Sequence, residues 1–362
     1  DKLKKALSRG RTSHLLGSSG SAVQLIAASL QKEINCKQLF ILNDKEEAAY
    51  FFNDLENLLG KEKVLFYPAS YRNPYQSDEQ TKNANIIQRS EVLSEISTRA
   101  NKLIVSYPEA LSEKVVTKKT LNNNSFTLHT DESVSMDFMI ELLFEYDFSR
   151  EQFVVEPGQF AVRGGLIDLW SFSNDRPYRI EFFGDQVESI RSFDPADQLS
   201  INRYVQLMIT PNVEEKLQEA EQTSFINFLG SDAIIWCKHI QFLLDRIDKY
   251  FQFATEKWNE IKDNTLQLAP DQKYCAKEVI LDQLQKRKIV EFGSEVYFKS
   301  DHTIKLNTSS QGNFNKNFSL LIDDLTKHQS QEYTLFITAE NPKQITRIED
   351  ILDDFENKGI RT

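Results

Sequence analysis

Cysteine is scarce. Cys36, Cys237 and Cys275 are the only three in 362 residues, lie far apart and form no Cys-x-x-Cys unit, which argues against a disulfide framework or a zinc site. Positive charge is also in short supply, with 43 lysines and arginines against 54 aspartates and glutamates and a net charge of −11. The chain as a whole is therefore not a general polyanion binder, although a local basic stripe stays open. No apolar run reaches the roughly 18 residues of a membrane helix, and the start DKLKKALSRGRTS has no signal-peptide core. No membrane partner is expected, and a reducing cytoplasm fits the cysteine usage. His14, His129, His239, His302 and His328 have no metal or triad spacing. Asp185, Glu188, Asp194 and Asp197 have the spacing of turns and a solvated edge, so no metal site is expected. No coiled-coil heptad is present, which points to a monomer. What the chain does have is 40% apolar residues, enough for two or three cores.

Those apolar residues are patterned in two ways. From residue 12 to about 122, strand-like runs (SHLLG, CKQLFILN, KVLFYP, NKLIVS) alternate with helical patterns, one of them opened by Asp44 as N-cap and a polar one near 83–98. Strands separated by helices of this length predict parallel βαβ units. The polar cluster KKTLNNNSFTLHTDESVS marks a boundary, after which residues 152–211 read as strands and turns with little helix. Helices and parallel-type strands then return: EEKLQEAEQTSFINFL and residues 241–262 as helices, DAIIWCKHI and KIVEFG as strands. NFSLLIDDLTKH follows as a helix, YTLFITAE as a strand and PKQITRIEDILDDFENKG as a helix. An α/β block interrupted by a β-rich block predicts an insertion into one discontinuous domain.

The first strand runs into HLLGSSGSAVQLIAASL, the layout of a phosphate loop, whose pattern G-x-x-x-x-G-K-[ST] supplies backbone N–H groups, a lysine for the β/γ-phosphates and a hydroxyl for Mg²⁺. Aligned on Gly17, the stretch Gly17, Ser18, Ser19, Gly20, Ser21, Ala22, Val23, Gln24 has Ala22 at the second glycine, Val23 at the lysine and Gln24 at the hydroxyl. The chemical groups of a nucleotide site are missing, so the loop reads as a structural strand-to-helix turn.

Within the β-rich block, FAVRGGLIDLWSFSNDRPYRIEFFGDQVESIRSFDPADQLS carries a Val-Arg-Gly before an apolar strand ending in Asp, then R-I-E-F-F-G-D and S-I-R-S-F-D. This segment resembles the domain shared by the bacterial nucleotide-excision-repair helicase subunit UvrB and the transcription-repair coupling factors, and the likeness extends plausibly over the whole chain. It implies an α/β fold: a discontinuous parallel-sheet, helicase-like domain with a degenerate phosphate loop (residues 1–124 and 214–362) and an inserted, mainly antiparallel β-rich α+β domain (125–213). UvrB carries a working loop and a long tyrosine-rich hairpin for which YPASYRNPYQSDEQ is too short. Helicase-type ATPases also end the strand equivalent to DAIIWCKHI with Asp-Glu, where Cys237 and Lys238 stand here. These losses favour the coupling factors over UvrB.

That resemblance implies a recruitment module that is not itself an enzyme and docks UvrA. It implies no cofactor here, with ATP and Mg²⁺ used by a motor further along a longer chain that also meets RNA polymerase and DNA. Starting at Asp1 without methionine, the chain reads as a fragment of such a protein. Arg179, Glu181 and Phe183 are spaced by two and share one face of a strand, with Ile180 and Phe182 on the other. Arginine and an exposed aromatic on one face suggest a binding patch as well as a solvated hairpin. Carried over from the family, the partner-binding residues are Arg163, Arg179, Glu181 and Phe183. The two arginines are expected to meet acidic groups of the partner, Phe183 to be the apolar anchor, and Glu181 to hold one arginine in register. UvrB has a further arginine where Ala161 stands, so contacts here are weaker or differently placed. Two rivals stay open: a divergent nucleotide-dependent DNA-binding UvrB paralogue, and a purely structural or autoinhibitory region restraining the motor.

Overall fold

The computed structural model describes residues 2–70, 74–75, 79–98, 101–172, 174, 176–211, 221–261, 268–310, 312–315, 317–339 and 341–353. In chain order, α1 (Lys2–Arg9), β1 (Thr12–Leu16), α2 (Ala22–Gln31), β2 (Gln38–Ile41), α3 (Lys45–Leu59), β3 (Val64–Phe66), α4 (Glu79–Thr98) and β4 (Leu103–Ser106) alternate strictly apart from one short 3-10 turn. Asp44 caps α3 as its sequence requires, accepting from Glu47 N at 2.8 Å. After α5 (Pro108–Ser112), β5 (Lys114–Val116) and α6 (Lys118–Asn123) the character changes. There follow β6 (Phe126–His129), α7 (Met136–Glu145), β7 (Ser149–Arg150), β8 (Gln159–Arg163), β9 (Leu166–Leu169), β10 (Tyr178–Phe183), β11 (Gln186–Phe193), β12 (Ser200–Tyr204) and β13 (Gln206–Ile209). The chain then forms β14 (Gln222–Ser224), α8 (Phe225–Leu229), β15 (Ile234–Cys237), α9 (Ile240–Glu260), α10 (Pro270–Lys273), α11 (Lys277–Gln285), β16 (Lys288–Glu291) and β17 (His302–Lys305).

Seven strands make one parallel sheet in the order β17-β1-β16-β15-β2-β4-β3. Its central strands β2, β4 and β15 are buried at every position, as strands covered by helices on both faces must be. Phe40 and Trp236 stack at 5.1 Å between ring centroids, and the indole N–H donates to Gln38 Oε1 at 2.9 Å, so the largest core side chain also has its polar atom satisfied. The sheet is discontinuous in sequence: β15, β16 and β17 come from beyond residue 230 yet flank β1 and β2.

The residues between those halves form a six-stranded mixed sheet, β12-β11-β10-β9-β8-β7, antiparallel except between β7 and β8. Helix α7, capped by Ser135, covers one face and buries Met139 and Leu143 against Phe160, Ile167, Ile180 and Ile190. The opposite face carries the charged residues discussed below. Gly184 at φ +61° makes the β10–β11 turn, a left-handed conformation that costs other residues more.

Two sequence expectations change. EEKLQEAEQTSFINFL lies partly outside the described residues. Its described end is β14, paired antiparallel with β5, and the short α8, because Ser224 turns the chain by accepting from Asn227 N at 3.0 Å. YTLFITAE is not a strand: residues 333–339 carry strand-forming side chains but have no strand to pair with among the described residues, and Phe336 is 85% exposed. They belong to a second compact unit, Ser309–Thr362, in which α12 (Phe318–Ser330) and α13 (Pro342–Asp353) enclose Ile322, Leu325 and Leu352. No helix among the described residues is long and apolar enough to cross a membrane.

Candidate protein-interaction surface

The face of the six-stranded sheet turned away from α7 is built by cross-strand register. Ala161, Asp168, Arg179, Arg191 and Arg203 stand opposite one another on β8 to β12 as a single row, and Glu181 opposes Ser189 in the next. Arg179 holds Asp168 with both prongs of its fork, Nε to Oδ1 at 2.7 Å and Nη2 to Oδ2 at 2.9 Å, while Nη1 donates to Gln198 O at 3.3 Å. Its guanidinium carbon lies 4.8 Å from the centroid of Phe193. The hydrogen bonds to Asp168 raise the Arg179 pKa above its ordinary value, outweighing burial. Arg163 donates to Gln152 O at 2.6 Å, sits 4.4 Å over the Phe153 ring and reaches Asp168 at 3.9 Å. One buried carboxylate thus anchors both arginines singled out in the sequence.

This redistributes the roles read from sequence. The fork of Arg179 is occupied inside the chain, so its contribution to a surface is to hold Asp168 and Phe193 in place. Glu181 does pair with an arginine in register, but that residue is Arg191, at 2.9 Å, with Ser189 Oγ donating to the same oxygen at 3.1 Å. Phe183 stands where its spacing put it, 79% exposed beside the Gly184 turn. Sequence reasoning missed Asp168, Arg191 and Arg203. Signals for Asp168 and Arg191 were present in LIDLW and in the alternation of QVESIRSF, but only register shows that they converge with Arg203.

At the C-terminal end of the parallel sheet, the Gly17 loop borders a cavity of about 580 Å³ lined among others by Ser18, Gln24, Glu47, Lys238 and His239. Gly17 has φ +78°, and a Cβ there would lie 2.8 Å from Leu306 O, so only glycine fits. The loop's polar groups are largely spoken for. Ser19 N–H donates to Thr308 Oγ1 at 3.0 Å, whose hydroxyl donates to Gly17 O at 2.6 Å, and Ser18 Oγ donates to Phe292 O at 3.0 Å. Helix α2 begins at Ala22, and Ser21 Oγ and Gln24 Nε2 both donate to Asp54 Oδ2, at 2.8 and 3.1 Å. Val23 is buried. Lys238 is ion-paired with Glu47 across the cavity, while Cys237 is fully buried behind it. No group of three or more potential metal ligands occurs among the described residues.

Burial pushes the Cys237 thiol well above its ordinary range, with Glu291 adding to the effect, and pushes Cys275 up to about 12. Neither is a thiolate near neutral pH. Labelling with a thiol-reactive disulfide at pH 8 is therefore expected to modify at most Cys36 in the folded chain and all three cysteines in denaturant. Rapid native labelling of Cys237 would contradict the packing of β15.

One face of the sheet thus lies under a helix, and the other carries the Asp168–Arg179 and Glu181–Arg191 pairs beside an exposed phenylalanine. Residues 126–214 match the UvrB interaction domain family. The chain is also similar to transcription-repair-coupling factors. It is 28% identical to that of Bacillus subtilis over 60% of this chain and 18% of the relative, and 32% identical to that of Rickettsia bellii over 53% and 17%. The likeness to the Staphylococcus aureus factor is 20% over 95% of this chain and 34% of the relative. The UvrABC system protein B of Thermosipho africanus is 26% identical over 60% of this chain and 36% of its own length. The chain matches about a third or less of the coupling factors' length and a little over a third of the UvrABC protein.

Proposed function

We propose that the protein is a recruitment module that binds UvrA through the outer face of its six-stranded sheet, bringing excision repair to a stalled RNA polymerase. The observation that carries this reading is Phe183, a large apolar side chain 79% exposed on a rigid hairpin, next to the ion-paired Glu181–Arg191 and Asp168–Arg179 rows. Aromatic residues flanked by arginine are the side chains in which binding energy concentrates. RNA polymerase and DNA are met by further domains of a longer protein, where ATP and Mg²⁺ also act. Titrating the chain with purified UvrA tests the proposal: saturable one-to-one binding supports it, and none at tens of micromolar sinks it.

The cavity beside the Gly17 loop favours a second reading, a nucleotide-dependent protein. Its chemistry argues otherwise. With Ser19 N–H donated to Thr308, Lys238 held by Glu47, and Val23 in place of the phosphate-binding lysine, little stabilises negative charge there. The loop is in this reading the backbone of a phosphate loop without its catalysis, and the chain has no ATPase activity and no cofactor. Calorimetric titration with ATP and Mg²⁺ is expected to show no binding below millimolar concentrations; micromolar affinity or measurable hydrolysis would restore the enzyme reading.

A further inference from the structure

The charges on the docking face do not balance. Arg163, Arg179, Arg191 and Arg203 share two ion-paired carboxylates, Asp168 and Glu181. Asp168 serves the first two and Glu181 the third. Arg203, exposed on the edge strand β12, has no ion pair or hydrogen bond from its side chain among the described residues. It stands directly opposite Arg191, and like charges facing each other across a strand pair repel. Arg191 is itself short of acceptors, because its buried Nε has no hydrogen-bond partner. The nearby acids are otherwise placed: Glu188, left over where the β10–β11 register shifts, makes no ion pair with these arginines, and Asp194 and Asp197 accept from backbone N–H groups of their own loop.

We propose that Arg203 is a specificity-determining contact that receives a carboxylate of the docked partner, so that the interface runs from Phe183 across β11 to the edge of the sheet. By strand geometry the two anchors are roughly 16 Å apart, four residues along and two strands over, a span that fits within a standard protein interface. The inference rests on the UvrA-docking reading and adds to it the partner's chemistry: an acidic side chain at the β12 end, an apolar pocket at the hairpin end. A carboxylate there gives Arg203 the counter-charge that Glu181 already gives Arg191. The inner arginines, held by Asp168, act as positioning residues beneath it.

The test compares wild type, Arg203→Ala, Arg203→Glu, Arg203→Lys and Phe183→Ala in titrations with purified UvrA at low and physiological salt. Because Arg203 is exposed and faces Arg191, its Ala and Glu variants are expected to keep the wild-type circular dichroism and to melt no lower than wild type. Arg203→Ala should weaken binding roughly twofold to fivefold and flatten its salt dependence, as loss of an exposed ion pair does. Arg203→Glu should weaken it by about tenfold or more through repulsion, and Arg203→Lys should retain most of the affinity. Wild-type affinity in Arg203→Glu, alongside loss of binding in Phe183→Ala, overturns this inference and leaves the docking reading standing. A wild-type chain that does not bind UvrA overturns both.

Discussion

Replacing Phe183 with alanine is expected to weaken binding to UvrA by about 30-fold or more, the effect of losing an aromatic hot spot, while leaving the fold intact. The side chain is 79% exposed and belongs to none of the buried clusters, so its truncation removes no packing from the free protein. Its backbone stays fixed by the β10–β11 ladder and by the Gly184 turn, so the change is confined to the surface presented. An exposed phenylalanine is an unfavourable choice for a solvated turn, since its ring stays in water until something covers it. Calorimetry with purified UvrA, alongside a thermal melt of the free variant, separates the two quantities: unchanged affinity with an unchanged melt removes Phe183 from the interface.

Asp168→Ala is expected to cost about 3 kcal/mol or more of stability in the β-rich domain, because removing one partner of a buried ion pair leaves the other desolvated and uncompensated. Asp168 is 3% exposed and the Arg179 side chain 16%, so water screens the pair little. The loss should appear as faster hydrogen exchange across β9 and β10 in the intact chain, with the seven-stranded sheet less affected. Removing both partners should cost less than the sum of the single changes. If Asp168→Ala exchanges like wild type, the Asp168–Arg179 pair is not what holds this face. UvrA binding should fall with it, since both sequence-predicted arginines lean on the same carboxylate.

Much of this was legible beforehand, for physical reasons that differ by element. The parallel sheet shows in the sequence because strands buried on both faces must be continuously apolar, and LIVS, QLFI and IIWC are close to that. The hairpin shows because YRIEFF and QVESIRSF alternate and are joined by Gly184-Asp185. Period two put Phe183 and Glu181 on the right face, yet it says nothing about which neighbour each side chain meets, which is decided across strands. Hence Glu181 met Arg191 instead of a predicted arginine, and Asp168 was read as the end of a strand when it is the anchor of the surface. YTLFITAE shows the opposite failure: propensity is a local quantity, pairing is not, and residues 333–339 have the first without the second among the described residues.

The split sheet also leaves the first strands made waiting for partners that lie far along the chain. Gln38 pairs with Leu103 on one side but with Ile234 on the other, and Thr12 waits for Ile289. On a ribosome adding about 5–20 residues per second, the amino-terminal strands remain without their central neighbours for on the order of ten seconds or more after they emerge. The six-stranded sheet of the β-rich domain pairs only strands consecutive in the chain, and the β6–β13 ladder then closes the domain by joining residues 126–129 to 206–209. It can therefore complete itself inside that interval and bring Ser106 toward Ile234, shortening the loop that the larger sheet has to close. The domain that presents Phe183 therefore also shortens the connection between the two halves of the larger sheet.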